Sequence, residues 1–175
     1  MIYLSAVALL TVTGCKKSDE GGHADMRYQQ KITCVNNLKQ IGLGFSGWCG
    51  DHKLKYPCNV STNDGGALEL VDLDKDGFDT NAFQYLKKMQ GADYLLTTPL
   101  ILVCPQDHSK KAATNWTSLG PENITYRFRA GTKVTPDSKE VLAVCPVDGN
   151  ILYCDGTVLD KDGKVPKSDA MLVRP

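Results

Sequence analysis

The stretch from Arg27 to Cys49, RYQQKITCVNNLKQIGLGFSGWC, constrains the fold of this chain more than any other. Its apolar residues Tyr28, Ile32, Val35, Leu38, Ile41, Phe45 and Trp48 recur at steps of three and four, which is the period of a helix and not of a strand. Cys34 and Leu43 widen the apolar arc, so a helix buried round much of its girth is expected. Polar Gln29, Lys31, Asn36, Asn37, Lys39 and Gln40 fill the gaps. Asp25 stands where an N-cap would, and Gly50-Asp51 where the helix would end. Gly42, Gly44 and Gly47 weaken its second half, unless they let a strand backbone approach closely. After Trp48 only short strand-like and loop segments follow. The expected fold class is therefore α+β, a long N-terminal helix packed on a small antiparallel sheet.

The remaining elements are short. Ala67 to Leu73 reads as a strand, Thr80 to Met89 as a second helix, and Leu100 to Cys104 (LILVC) as a buried strand between two prolines. Ile124 to Ala130 and Glu140 to Cys145 read as two more strands. Asn150 to Leu159, continuing to Lys164-Val165, reads as a terminal hairpin with Asp155-Gly156 and Asp162-Gly163 as turn dipeptides.

Ahead of the helix, Ile2 to Val12 is apolar but, at 11 residues, shorter than the roughly 20 needed to span a bilayer. It ends in Val12-Thr13-Gly14-Cys15, which resembles the lipobox of bacterial lipoproteins, where the cysteine thiol carries the lipid. No Lys or Arg precedes the apolar run. Polar Lys16 to Asp25 reads as a flexible tether. The expected organisation is a signal segment over 1–14, a tether over 15–25, a globular domain over 26–165 and a tail over 166–175. The protein is expected in the cell envelope, lipid-anchored through Cys15, with its domain in the periplasm or outside. With 20 basic and 20 acidic residues, the chain has no charge excess that points to a nucleic-acid partner.

Seven cysteines are present, and no C-x-x-C among them. In an exported domain the six after Cys15 are disulfide candidates. Cys49 and Cys58 flank the turn that leaves the helix; Cys145 and Cys154 flank Asp148-Gly149; Cys34 and Cys104 remain, as a helix-to-strand bridge. The rival pairing is Cys104 with Cys145, and the alternative to both is buried, reduced thiols acting as small hydrophobes.

One motif suggests a metal. Asp72-Leu73-Asp74-Lys75-Asp76-Gly77-Phe78-Asp79 sets carboxylates on alternate residues with a glycine at the sharp turn, as calcium loops do. Asp72, Asp74, Asp76 and Asp79 are the candidate ligands. Position twelve of such a loop is Phe83 and not a bidentate Glu, so calcium would bind weakly. The alternative is a solvated acidic turn. Asp160-Lys161-Asp162-Gly163 reads as a plain hairpin turn. For catalysis the sequence offers little. Gly44-Phe45-Ser46-Gly47 misses the nucleophile-elbow spacing and lies within a helix. His23, His52 and His108 share no ligand spacing. Asp107 and His108 could pair, but no nucleophile accompanies them.

The segment Cys34-Val35-Asn36-Asn37-Leu38-Lys39-Gln40-Ile41-Gly42-Leu43 resembles the C-N-N-L-K-Q-I-G-L segment of type II secretion pseudopilin-like proteins. The resemblance continues through Asn59 to Gly66, Thr97-Thr98-Pro99 with Leu102 to Pro105, Ala112 to Tyr126, and Leu152 to Val158. It implies a helix packed on a small antiparallel sheet and a non-catalytic role in a pseudopilus or related envelope assembly. It also implies pseudopilin or secretion-system subunits as partners. Those families open with a long apolar stem that runs directly into the helix. Here a lipobox-like segment and a polar tether stand in its place.

Overall fold

The computed structural model describes residues 20–90, 96–131, 133–136 and 138–164, with side chains from residue 25 onward. Helix α1 spans Glu20–Asp51. Its buried apolar side chains are Cys34, Val35, Leu38, Ile41, Phe45, Trp48 and Cys49, one continuous face from the third turn after Asp25 to the end. Two members of the expected apolar arc lie outside it. Tyr28 is 51% exposed because it precedes the part of the helix that the sheet covers. Leu43 is 54% exposed because, five residues beyond Leu38, it lies about 140° round the helix from the packed face.

The helix also begins earlier than expected. Asp25 lies inside it and does not cap it, and residues 20–25 of the expected tether are helical. Cys15, the signal segment and the side chain of His23 lie outside the described residues, as do residues 165–175, which hold the expected tail. No helix among the described residues is long and apolar enough to cross a membrane.

Five short strands form one antiparallel meander: β1 (Phe78–Asp79), β2 (Arg127–Arg129), β3 (Val141–Val144), β4 (Ile151–Tyr153) and β5 (Val158–Leu159). Each strand pairs with its neighbour in sequence, so no crossover is needed. Alternation decides which face is inside. Phe128 of β2, Leu152 of β4 and Val158 of β5 point to the helix and are buried. Arg127 and Arg129 point out and lie over the Phe78 ring at 4.1 and 5.1 Å. An irregularity between Val141 and Ala143 lets consecutive Leu142 and Ala143 both be buried. Gly42 permits a close approach, since a Cβ there would come within 3.1 Å of Leu152 Cδ1.

Two expected strands are not strands. Residues 67–73 contain a 3-10 turn at Leu68–Leu70, and only Leu73 bridges to Asp79. LILVC sits in a 3-10 turn at Pro99–Leu102. Thr98 Oγ1 accepts from Leu100 N at 3.3 Å, and Pro99, fixed in φ and lacking an N–H, starts the turn and supplies no ladder donor. The apolar run still serves the core, as Ile101, Leu102 and Cys104 are buried while Leu100 is exposed. The second helix is present but shorter, α2 at Phe83–Lys88.

Phe45 sits at the middle of the packing. Its ring lies 5.2 Å from Tyr56 and 6.0 Å from both Tyr85 of α2 and Phe128 of β2. One side chain therefore joins α1 to the sheet, to α2 and to the segment after the helix. Tyr56 completes the closure by donating its hydroxyl to the Cys154 carbonyl at 2.9 Å.

Candidate metal centre

Three separate parts of the chain meet at one end of the packed helix face. Cys34 occupies the first fully buried turn of α1. Cys104 follows the Pro99–Leu102 turn. Cys145 directly follows β3, and Asp148 lies further along the loop that joins β3 to β4. That loop is closed by Cys145 N donating to Asn150 O at 2.8 Å and Gly149 N donating to Cys145 O at 2.9 Å. The closure turns the Asp148 carboxylate back over the sulfurs. The three Sγ atoms and a carboxylate oxygen of Asp148 all lie within 4.8 Å of one another, with the cysteines buried and Asp148 half-buried. This cluster can hold a metal ion.

The surroundings are built for sulfur carrying negative charge. Asn150 Nδ2 donates to Cys34 Sγ at 3.4 Å and Tyr126 Oη approaches it at 3.7 Å. Asp148 N donates to Cys145 Sγ at 3.4 Å, and the Cys104 thiol reaches Asp148 Oδ2 at 3.2 Å. Asn37, 8% exposed on α1, donates to Val103 O at 3.3 Å and to Tyr126 Oη at 3.4 Å, which holds Tyr126 in place. Three adjacent buried thiols cannot all ionise against one another. Of the three, Cys145 is the one whose pKa is drawn down, first by its hydrogen bond with Cys104 and then by that with Cys34. Cys34 is pushed up, chiefly by its hydrogen bond with Cys104, and Cys104 chiefly by its bond with Cys145.

No disulfide joins the six cysteines among the described residues to one another. Cys34 and Cys104 do come together, but as two members of a trio with Cys145 and not as an isolated pair. A Cys145–Cys154 bridge is ruled out by register. Val144 pairs with Ile151 and Val141 with Tyr153, so Cys145 faces Asn150 while Cys154 N bonds Glu140 O at the far end of the ladder. Cys49 turns its thiol to the Lys55 carbonyl at 3.4 Å and is not bonded to Cys58. Burial pushes the Cys58 thiol up to about 12, as suits a small apolar filler.

The acidic loop does not form the expected calcium site. Asp72, Asp74, Asp76 and Asp79 do not converge on a point, because each carboxylate is otherwise engaged or exposed. Asp74 Oδ1 accepts from Asp76 N and Phe78 N at 2.9 and 3.0 Å, and its Oδ2 pairs with Arg127 at 2.6 Å. Asp76 Oδ2 lies 3.5 Å from the same guanidinium. Asp72 accepts from the Thr80 hydroxyl at 2.7 Å. Asp79 turns inward to cap Asp72 N and Asn81 N, both at 2.9 Å. A cation of the protein thus already stands against the loop. Asp160 likewise braces a plain turn, accepting from Asp162 N and Lys164 N.

The hydrogen bond from Phe78 N leads the groups that hold the Asp74 carboxyl below its ordinary value of 3.8. A depressed folded-state pKa contributes stability above the unfolded value and loses it as pH falls through the folded one. Thermal scans at pH 5 down to about 2 should therefore show a shallower acid decline for Asp74→Asn than for the unaltered protein. The difference will be modest because the pair is partly open to solvent. Identical slopes would contradict the assignment.

The other polar candidates have structural partners. His52 stacks on Trp48 with ring centroids 3.7 Å apart and has Nδ1 2.9 Å from Trp48 O. Asp107 accepts from the Ser109 hydroxyl at 2.6 Å and the Thr125 hydroxyl at 2.7 Å, so its carboxylate is engaged there. Ser46 is exposed on α1 beside buried Phe45.

Asp148, Asn37, Tyr126 and Asn150 were not expected at a site. A signal for the first exists in the repeated tetrapeptide Cys-Pro-x-Asp, at residues 104–107 and 145–148. The two copies diverge in use, for Asp107 turns to Thr125 while Asp148 turns to the thiols. No protein family, curated protein or solved structure matches this chain.

Proposed function

We propose that this chain is a non-catalytic, pseudopilin-like domain of the cell envelope, carried on a lipid at Cys15. The observation that supports it is how α1 is used. Residues 25–29 are all exposed, and continuous burial begins only at Cys34. The first described turns of the 32-residue helix thus carry exposed side chains and touch the head only at its edge, where Gln106 Nε2 donates to Arg27 O at 3.3 Å, which fits a stalk between an anchor and a packed head. The ordered series of motifs from Cys34 to Val158 fits the same reading, and so does the antiparallel meander under the helix. The partners on this reading are a membrane surface and other pseudopilin or secretion-system subunits. The alternative, a periplasmic metal- or substrate-binding module, is favoured by the cysteine–aspartate cluster. Its metal would not be calcium, since calcium takes hard oxygen ligands and this cluster is mostly sulfur.

Mass spectrometry of the membrane fraction tests the reading. Cys15 is expected as the acylated mature N-terminus, and Cys15→Ala is expected to leave an unprocessed chain without the lipid mass. A mature protein that carries no lipid, or that stays membrane-bound at unchanged mass in Cys15→Ala, would contradict it.

A further inference from the structure

We infer that Cys34, Cys104, Cys145 and Asp148 form a tetrahedral site for one zinc ion, which ties α1 to the sheet. The donor set selects the metal. Three soft thiolates and one carboxylate suit zinc, whereas calcium and magnesium need oxygen shells. The geometry is close to what the ion requires. Metal–sulfur bonds of about 2.3 Å at tetrahedral angles set sulfurs about 3.8 Å apart. Here all four ligand atoms already lie within 4.8 Å of one another, so binding needs side-chain shifts of an ångström or less at most contacts.

The outer shell is in place as well. Metal-bound thiolates are held by surrounding hydrogen-bond donors, and here Asn150 Nδ2 and Tyr126 Oη serve Cys34 while Asp148 N serves Cys145. Asn150 is fully buried, and its Nδ2 is directed at a sulfur. Four anionic ligands around a divalent ion leave a net double negative charge. Arg27, Lys31 and Lys161 line the groove that Asp148 borders and offset that charge from its open side. Binding sends the thiol protons to solvent and changes no oxidation state.

The four ligands come from α1, the segment after the Pro99–Leu102 turn and, for Cys145 and Asp148, the β3–β4 loop. None of these is a sequence neighbour of another except Cys145 and Asp148. The ion therefore closes long loops, which is the role of a structural site with all four positions filled by protein. It also occupies the thiols that would otherwise be open to disulfide exchange in an exported protein.

The test is elemental analysis of the full chain, purified without added metal, together with zinc titration of protein stripped by a strong chelator. One equivalent of zinc per chain is expected, absent in Cys34→Ser and unchanged in Cys49→Ser and Cys58→Ser. Asn150→Ala should weaken zinc binding about 10- to 100-fold. Should Cys34→Ser fail to fold, cobalt substitution of the unaltered chain reads the site directly. Intense thiolate-to-cobalt charge transfer with tetrahedral ligand-field bands supports the assignment, and weak octahedral bands overturn it. No bound metal, iron in place of zinc, loss of zinc in Cys49→Ser, or a Cys104–Cys145 disulfide by non-reducing peptide mapping would each overturn it too. None of these readouts depends on Cys15, so the zinc site and the envelope reading stand or fall separately.

Discussion

Phe45→Ala is expected to lower the unfolding free energy by about 3–5 kcal/mol, against a typical total of about 5–15. Phe45 is 1% exposed and meets Tyr56, Tyr85 and Phe128 within about a ring diameter. Truncation removes its transfer free energy and leaves a cavity between α1, α2 and β2, where three aromatic rings cannot all collapse inward. It also removes edge-to-face contacts with Tyr56 and Tyr85. The neighbouring Ser46 is exposed, so Ser46→Ala should change stability by less than about 0.5 kcal/mol. Denaturant titration of both variants measures the contrast. Losses below about 1 kcal/mol in both would mean that this face of α1 does not hold the core.

Gly66→Ala should be nearly as damaging, at about 3 kcal/mol, the upper end of ordinary overpacking losses. A Cβ at Gly66 would lie 2.1 Å from the Val60 carbonyl oxygen and 2.5 Å from Val60 C and Cβ. Those are mostly backbone atoms, so no rotamer change relieves the clash. The backbone cannot move freely either. Gly66 N donates to Ser61 O at 2.8 Å, Ala67 N to Pro57 O at 2.9 Å and Leu68 N to Val60 O at 2.9 Å. Gly50 offers the opposite case, an exposed helical glycine with nothing within 4 Å of an added Cβ. Gly50→Ala should raise stability by up to about 1 kcal/mol. Thermal denaturation of the pair reads the sign, and a loss for Gly50→Ala or no change for Gly66→Ala would contradict the packing described.

The long helix was legible in the sequence because its apolar period is unbroken for several turns from Cys34 to Trp48. Its start was not. Glu20 to Asp25 carries charge and two glycines, which read as loop, and no apolar face exists there to reveal the helix. The terminal hairpin was legible because Asp155-Gly156 marks its turn between two apolar runs. LILVC was misread because a short apolar run has no period of its own, and Thr98-Pro99 favours a capped turn over a ladder. The acidic loop looked like a cation site on spacing alone. What spacing omits is Arg127, about 50 residues away, whose guanidinium pairs with Asp74.

The candidate metal centre shows the same division. Cys34 and Cys104 could be brought together by placing one on the packed helix face and the other at the end of an apolar run. The rival pairing already sets Cys145 beside Cys104, but only the β3–β4 register shows that both partners meet Cys104 at once. Counting cysteines as pairs then hid a set of three. In the sequence Asp148 stands only in an Asp-Gly dipeptide between two cysteines, though the turn there is what aims its carboxylate at Cys104 Sγ. Asn37 and Asn150 look like surface polar residues in a one-dimensional reading. Each is buried because a partner from a distant segment accepts its amide.

On the proposal above, helix and sheet are joined through one mixed sulfur–oxygen metal site. X-ray absorption at the zinc edge on the full chain as purified tests it most directly. A first shell of three sulfurs at about 2.3 Å and one oxygen at about 2.0–2.2 Å is expected. A shell of nitrogen and oxygen alone, or of four sulfurs, would contradict it.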